Sequence, residues 1–388
     1  MEIEFLGAWR ADDKAMQGDP TFLRSEFETM DAVNNYKANV AVIGGGIFGS
    51  TTAIKLAQDG FKVTLLEREK EIMSAASAIN QYRLHKGYHY PRSMDTTLSC
   101  IKATPQFEKE YAEAVIDSAR HYYAIAKERS LVSAEDYLAV LDEAKLSYQV
   151  VEAEHINPDA VAVCVEVEEN LYDPYRLKDI VGERLSEFNV DVKTGCRTTV
   201  AELGDFDFVV AATYASLNES LQGLPEGSGE YQYEVCEKIV IEPPEELRGI
   251  STVVMDGPFM SFDPLGTTNY AVMGHVEHAI HLRSFGEVAE IPDSIQPLLN
   301  RGVIENPEPS KAHLFLEEGA YFMPSLSKAK HVGSMYTTRM VLPQVASTDA
   351  RPTLVNLIND RVVTIFSGKV GNCVAAAADV VALFNQRC

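Results

Sequence analysis

Residues 39–68 read NVAVIGGGIFGSTTAIKLAQDGFKVTLLER, and their order decides the fold. Val40-Ala41-Val42-Ile43 is an uninterrupted apolar run, the pattern of a strand buried on both faces of a parallel sheet. Gly44, Gly46 and Gly49 follow in G-x-G-x-x-G spacing. Helical periodicity then carries Ile47, Phe48, Thr51, Ile54 and Leu56 towards Gly60, a natural helix stop. Phe61–Leu66 is a second apolar strand, and it delivers Glu67. Gly44 permits the tight turn, Gly46 lets a pyrophosphate approach the backbone, and Gly49 lets helix and strand pack closely. The helix start at Ile47 and Phe48 offers unpaired N–H groups and partial positive charge to phosphates. Glu67 follows Gly49 by 18 residues (67 − 49), where a carboxylate accepts both hydroxyls of an adenosine ribose. That acid would repel the 2′-phosphate of NADP. FAD and NAD both remain open on this stretch alone.

The 388 residues exceed one typical domain and predict two lobes, with interleaving allowed. Hydrophobic content of 46% with 23% charged residues suits a globular enzyme. The net charge of −23 disfavours nucleic acid and anionic membrane as partners. Six cysteines (100, 164, 196, 236, 373 and 388) are scattered. They form no C-x-x-C pair and no His–Cys cluster at zinc spacing, so reduced thiols and no metal are expected. No apolar run reaches the length of a membrane span. The start, MEIEFLGAWRADD, lacks a signal-peptide pattern, and the expected location is the cytoplasm. Residues 1–38 are polar and acidic with anchors at Phe5, Leu6, Trp9 and Phe22, and read as an extension.

The next informative stretch is SAASAINQYRLHKGYHYPRS, residues 74–93. Its small residues, Ser77 among them, suggest backbone passing close to something large. Asn80, Arg83, His85, Gly87, Tyr88, His89, Tyr90 and Arg92 then concentrate polar, aromatic and titratable groups. Beyond it, Met94–Glu113 suits a helix, His121–Ala126 a strand, and Ser133–Lys145 a helix capped by Ser133 with Asp136 at its third position. Asp173-Pro174-Tyr175 opens a helix to Phe188. Asp205–Ala212 is a buried strand leading through Thr213, Tyr214 and Ala215 into a short helix. Tyr231–Ile241, Thr252–Met255, Phe259–Phe262 and Tyr270–His275, separated by turn signals, read as an antiparallel meander. Ser310–Met323 reads as helix, and His331–Val341, Thr353–Asn359 and Arg361–Phe366 as strands. Ser367-Gly368-Lys369-Val370-Gly371-Asn372 turns into a last helix, Cys373–Phe384.

With these stretches in hand, the chain resembles the D-amino-acid-oxidase-like superfamily of FAD-dependent oxidoreductases. Glycine and sarcosine oxidases, glycerol-3-phosphate dehydrogenase and L-2-hydroxyglutarate dehydrogenase are members. The resemblance covers most of residues 39–388 and is specific in five patches. The first is VIGGGIFGSTTAIKLAQDGFKVTLLERE. The second, ASAINQYRLHKGYHYPRS, is most similar to the hydroxyglutarate dehydrogenase branch, with Asn80, His85, Gly87, Tyr90, Pro91 and Ser93 matching. The third, DFDFVVAATYA, departs from the family's Ala-x-Gly-Ala by placing Tyr214 where glycine is usual. The fourth, MYTTRMVLP followed by TDARP, resembles the glycine oxidase segment whose arginine grips the substrate carboxylate, and Arg339 is the matching position. The fifth, IFSGKVGNCVAAAADV, resembles the turn and helix closing over the flavin.

The resemblance implies an α/β fold, a Rossmann-type FAD-binding domain with a parallel sheet plus an interleaved substrate domain with an antiparallel sheet. Its implied boundaries are 39–100 with 174–222 and 331–388 for FAD binding, and 101–173 with 223–330 for substrate. FAD would contact Gly44, Gly46, Ile47, Phe48, Gly49, Glu67, Arg68, Ser77, Asn80, Arg83, Leu84, His85, Ala212, Thr213, Gly368, Lys369 and Val370. The implied reaction moves a hydride to flavin N5 from a carbon bearing an amine or hydroxyl in a small carboxylate-containing substrate. Arg339 would hold the carboxylate, because a guanidinium fork matches it. His85 would accept the proton, with Tyr88 and Tyr90 beside it. Oxygen or a quinone would take the electrons. Two rival readings stay open: a flavoprotein without net redox, such as a sugar-nucleotide isomerase or mutase, and a non-catalytic dinucleotide-binding protein.

Overall fold

The computed structural model describes residues 36–343 and 349–388, so nearly all of the expected N-terminal extension lies outside the described residues. Asn39–Ile43 is a buried strand paired in parallel with Phe208–Ala211 on one side and Lys62–Leu66 on the other. The sheet continues to Asp191–Lys193 beyond Lys62–Leu66, and to Val362–Phe366 and the antiparallel edge Leu354–Leu357 beyond Phe208–Ala211. Central strands buried on both faces need apolar side chains throughout. Val40, Val42, Val209 and Val210 meet that need and are fully buried.

Two helices cover one face of this sheet, Ile47–Gln58 and the last helix Cys373–Asn385. Phe384 stacks on Phe208 at 4.4 Å between ring centroids and tilts against Phe61 at 6.3 Å. Burying such a ring stabilises by roughly 1.5–3 kcal/mol. Asn385 ties the end of this helix to Asp59 at 2.7 Å and to Lys37 at 2.8 Å.

The second sheet has nine strands, expected in part as the meander. Tyr231–Glu242 is its spine. On one side the spine pairs along its length with Lys330–Val341. On the other, its first half pairs with Ile280–Gly286 and its second half with Ala271–His275. Met260–Pro264, Ile250–Met255, Arg120–Ala126, Val161–Val167 and Tyr148–Val150 extend the sheet outward. Ile250–Met255 and Arg120–Ala126 run parallel, a break in the otherwise antiparallel pattern. The strand over 331–341, expected with the nucleotide-binding part, is therefore a member of this second sheet. Strand pairing depends on residues about a hundred positions upstream, which local periodicity does not reveal.

Residues alternate faces along the spine. Ile239 and Ile241 pack with Phe262, Met273, Phe315 and Phe322 beneath the sheet, where the helix Ala312–Phe322 lies. Gln232, Glu234, Cys236 and Lys238 face the other way, into a cavity. A small third sheet, Arg83–Leu84 with Asn170–Tyr172 and Val115–Ile116, anchors the polar stretch after Ser77. Met94–Glu110 forms the expected helix, ending three residues early in a short 3-10 turn.

Candidate functional site

The cavity measures about 1090 Å³ and is lined by both large sheets and the segment between them. It exceeds the roughly 300–1,000 Å³ of an ordinary ligand cleft. The helix Ile47–Gln58 opens onto it with Gly46 at its cap position, no side-chain cap and no acidic residue in its first turn. Its positive end is thus presented to the cavity by Gly46, Ile47 and Phe48. The Ile47 N–H donates to Ser77 Oγ at 2.9 Å. Gly44 has a φ of +102°, and a β-carbon there would come within 2.6 Å of the Ala212 carbonyl oxygen. Conformation and space both demand glycine. Gly49 serves differently: a β-carbon on it would overlap the Gly44 carbonyl oxygen, so it seats helix on strand and does not line the cavity.

Glu67 and Arg68 line the same wall. The Glu67 carboxylate accepts from the Gly45 N–H at 2.6 Å and the Glu69 N–H at 2.8 Å. Arg68 reaches Ser216 at 2.9 Å and Glu219 at 3.5 Å. Ala212 and Thr213 complete the wall, the Thr213 hydroxyl bonded to Ser220 at 2.9 Å. Tyr214 takes a φ of +48°. The left-handed backbone that suits the family's glycine is kept here with a phenol added.

Asn80 faces the cavity, but its side chain is spent on the turn itself. Its amide nitrogen donates to Ala76 and Ser77 carbonyls, and its oxygen accepts from Tyr82 N–H and the Tyr172 hydroxyl. Arg83 is buried and donates to Glu169 at 2.9 Å, to Asp263 at 2.7 Å and to Ser251. Its guanidinium lies 5.0 Å from the Tyr123 ring. Glu169 also accepts from the Lys86 N–H and the Tyr123 hydroxyl, both at 2.7 Å. His85 follows, its Nδ1 3.9 Å from Glu169 Oε1 and without a hydrogen-bond partner. Burial above all, then His89, Lys369 and Arg83, holds its pKa well below the usual histidine range. Burial likewise pulls His89 down to about 3 and His121 to about 2.

Two expected site residues point elsewhere. Arg83 and Leu84 are successive residues of one strand, so with Arg83 inward Leu84 turns into the core, fully buried. Tyr88 follows Gly87, whose left-handed backbone swings it into a cluster with Tyr123 and Tyr137. There its hydroxyl donates to the Ser147 carbonyl at 2.7 Å. Tyr90 does line the cavity. Lys369 sits beneath it, Nζ 3.1 Å from the Tyr90 ring centroid and 3.2 Å from Cys100 Sγ. Lys369 lines a separate void of about 70 Å³, whereas Gly368 and Val370 border both spaces.

Arg339 projects into the cavity from the strand beside the spine and donates through two nitrogens to Glu234. Glu234, 2% exposed, also accepts from Arg283 at 3.1 Å and Gln232 at 2.7 Å. Two guanidiniums share one carboxylate, leaving a net positive wall. Sequence reading missed Glu169, Asp263, Glu234 and Lys238. The alternation Gln232, Glu234, Cys236, Lys238 within an apolar strand was the signal for the last two. His275, His278 and Glu318 also cluster. His275 Nδ1 accepts from the Glu277 and His278 N–H groups, which leaves its proton on Nε2, 2.8 Å from Glu318. These three are one another's partners.

The profile of the FAD dependent oxidoreductase (DAO) family matches residues 39–262. The chain belongs to this family. An FAD-dependent monooxygenase, kojA, of Aspergillus flavus is 29% identical over 378 residues, covering 89% of this chain and 86% of the relative. Among solved structures, glycine oxidase from Geobacillus kaustophilus superposes with a TM-score of 0.69 at 12% identity, over 90% of this chain and 96% of that one. L-alpha-glycerophosphate oxidase from Mycoplasma pneumoniae, with FAD bound, gives 0.69 at 15% identity, over 90% and 94%. The α/β architecture with one parallel and one antiparallel sheet is theirs too.

This FAD-dependent oxidoreductase is therefore an enzyme whose cofactor is FAD, and its residues fit that group. The helix start at Ile47, the glycine cradle at Gly44 and Gly46 and the Glu67 carboxylate stand on one wall of this cavity. Among the described residues, no helix is long and apolar enough to cross a membrane.

Proposed function

We propose that the enzyme oxidises a small carboxylate-containing substrate by removing hydride from the carbon bearing its amine or hydroxyl. The observation that carries this is His85, whose pKa burial holds well below the usual histidine range, on the same cavity as the net positive Arg339 wall. FAD supplies the hydride acceptor, at flavin N5. Gly44, Gly46, Ile47, Phe48 and Glu67 hold its nucleotide portion, with Arg68, Ser77, Ala212 and Thr213 flanking. Gly368 and Val370 border the cavity from the closing turn, and Lys369 places a cation behind them.

His85 takes the proton that leaves the substrate's N–H or O–H group. A neutral imidazole can do so; an imidazolium cannot. Arg83, locked between Glu169 and Asp263, fixes the strand from which His85 extends. Arg339 keeps donor capacity beyond its bonds to Glu234, and with Arg283 attracts and orients the carboxylate. Orientation matters because the reacting carbon must sit within roughly 3–3.5 Å of its acceptor.

The test is anaerobic mixing of the FAD-loaded enzyme with amino acids, secondary amines and 2-hydroxy acids. Bleaching of the flavin absorbance by substrate alone is the expected result. The name of the 29% identical relative supports a second reading, oxygen insertion. That reading predicts no bleaching by substrate alone, and oxygen uptake only with an added reduced nicotinamide. Turnover of a chemically reduced enzyme with no acceptor consumed would instead mark an isomerase. Re-oxidation by oxygen or by a quinone then identifies the electron acceptor.

A further inference from the structure

The cavity floor carries a second group of donors, away from Arg339. Lys238 lies four residues beyond Glu234 on the same face of the spine, about 13 Å along it at ~3.3 Å per residue. Across the sheet stands Gly274, which also lines the cavity. A β-carbon on Gly274 would collide with Lys238 Nζ and come within 2.5 Å of Gln81 Nε2 and 2.8 Å of Ser261 Oγ. Three polar groups from three separate segments thus converge over one residue without a side chain. Gln81 Nε2 donates to Ser261 Oγ at 2.9 Å, which turns the serine's own proton outward.

The ammonium is not spoken for. Arg83, Arg92, Arg339 and Arg351, which also border the cavity, each hold a carboxylate of the chain. Among the described residues no hydrogen bond or ion pair ties Lys238 Nζ to one. Asp263, the one carboxylate whose charge acts on Lys238, gives its Oδ1 to Arg83 and Ser251 and keeps Oδ2 without a hydrogen-bond partner. An enclosed cation with no carboxylate hydrogen-bonded to it is expensive to maintain, and burial outweighs the attraction of Asp263, lowering the Lys238 pKa to about 8. An anion seated above it offsets that cost.

We infer that Lys238, Gln81 and Ser261 form an oxyanion niche on the cavity floor, distinct from the Arg339 wall, and that the substrate carries two anionic groups. This rests on the reading of the Arg339 wall as the first carboxylate site. The substrate class is then a bifunctional acid: one carboxylate beside the oxidised carbon and a second oxyanion on a short apolar spacer. Gly274 keeps the niche open, and Lys238 sets the preference for a charged over a neutral terminus.

The experiment titrates FAD-loaded enzyme with non-oxidisable probes and reads the shift of its visible spectrum. The probes are butyrate, glutarate, the half-amide of glutarate and 3-phosphonopropionate. Glutarate is expected to bind at least about tenfold more tightly than butyrate or the half-amide, the order of one charge-assisted contact. The phosphonate arm distinguishes a niche for carboxylate from one for phosphate. Lys238→Gln and Gly274→Ala disturb the niche by different routes, one removing the charge and one filling the space. Each is expected to shrink the diacid advantage below about threefold while FAD content and melting temperature are retained. Equal binding of glutarate and butyrate by the unmodified enzyme overturns the inference. So does an undiminished advantage in whichever variant folds. Because no probe can be oxidised, the result is independent of flavin bleaching. Failure of bleaching with intact diacid preference removes the oxidation reading alone.

Discussion

His85 shows how a single side chain acquires chemistry from its surroundings. Desolvation holds its pKa well below the usual histidine range, so kcat/KM is expected to stay flat from about pH 6 to 8 rather than inflect near 6.5, as an exposed histidine would make it. His85→Gln should lower kcat by about 10²–10⁴-fold with FAD content unchanged. A pH profile and a flavin absorbance ratio check both. Its neighbours make a second expectation. His89 and His121 are held near 3 and 2 in the folded chain, chiefly by burial, and return to about 6.5 on unfolding. The unfolded state therefore binds protons first as the pH falls. Their contribution to stability is complete above about pH 6.5 and drains away towards pH 3. The urea midpoint should already fall between pH 7 and pH 5, before most carboxylates titrate. His121→Phe, which removes two buried nitrogens without partners, should flatten that slope. His85 and His89 were visible in the sequence as part of a local concentration of polar and aromatic residues, and Arg339 through the resemblance to the glycine oxidase segment. Glu169 and Asp263 were not: they meet Arg83 from 86 and 180 positions away, and nothing local announces the meeting.

At the scale of elements, the turn between Ile43 and Ile47 and the strand pair beneath the cavity carry opposite lessons. The turn is encoded locally, and the glycine spacing foretold both the tight turn at Gly44 and the close helix–strand contact at Gly49. Gly49→Ala would drive a methyl into the Gly44 carbonyl. We expect destabilisation of about 1–3 kcal/mol with loss of bound FAD, measured by denaturant titration and flavin retention. The strand pair is encoded across the chain. Each strand was recognisable, yet nothing in the sequence of 331–341 announces its pairing with Tyr231–Glu242: period-2 patterning names a strand without naming its neighbour. Its central ion pair gives a direct test. Arg339→Met leaves the 2%-exposed Glu234 with Arg283. Arg339 is itself partly exposed, so about 1–2 kcal/mol of stability should be lost rather than the full value of a buried pair. Adding Glu234→Gln should restore that stability but not substrate affinity, which separates a structural role from a binding one.

Across the whole molecule, the cavity is the seam between two sheets, and a cofactor lying in it joins surfaces that are otherwise apart. Binding to the folded state alone raises stability by about 2.7 kcal/mol at a hundred times the dissociation constant. For a chain of this size that amounts to a melting temperature several degrees higher. Thermal melts of FAD-stripped and reconstituted enzyme check this, and equal melts would mean that FAD does not favour the folded state over the unfolded one.

The last helix gives this architecture a timetable. Strand Val362–Phe366 and helix Cys373–Asn385 finish the sheet and the layer that Asn39–Ile43 and Ile47–Gln58 begin, so the first-made part of the nucleotide half waits for the last-made. Until Cys373–Asn385 has been made and has left the ribosome, Phe208 and Phe61 lack the ring of Phe384 that covers them. The nascent chain carries this apolar face uncovered until Phe384 reaches it.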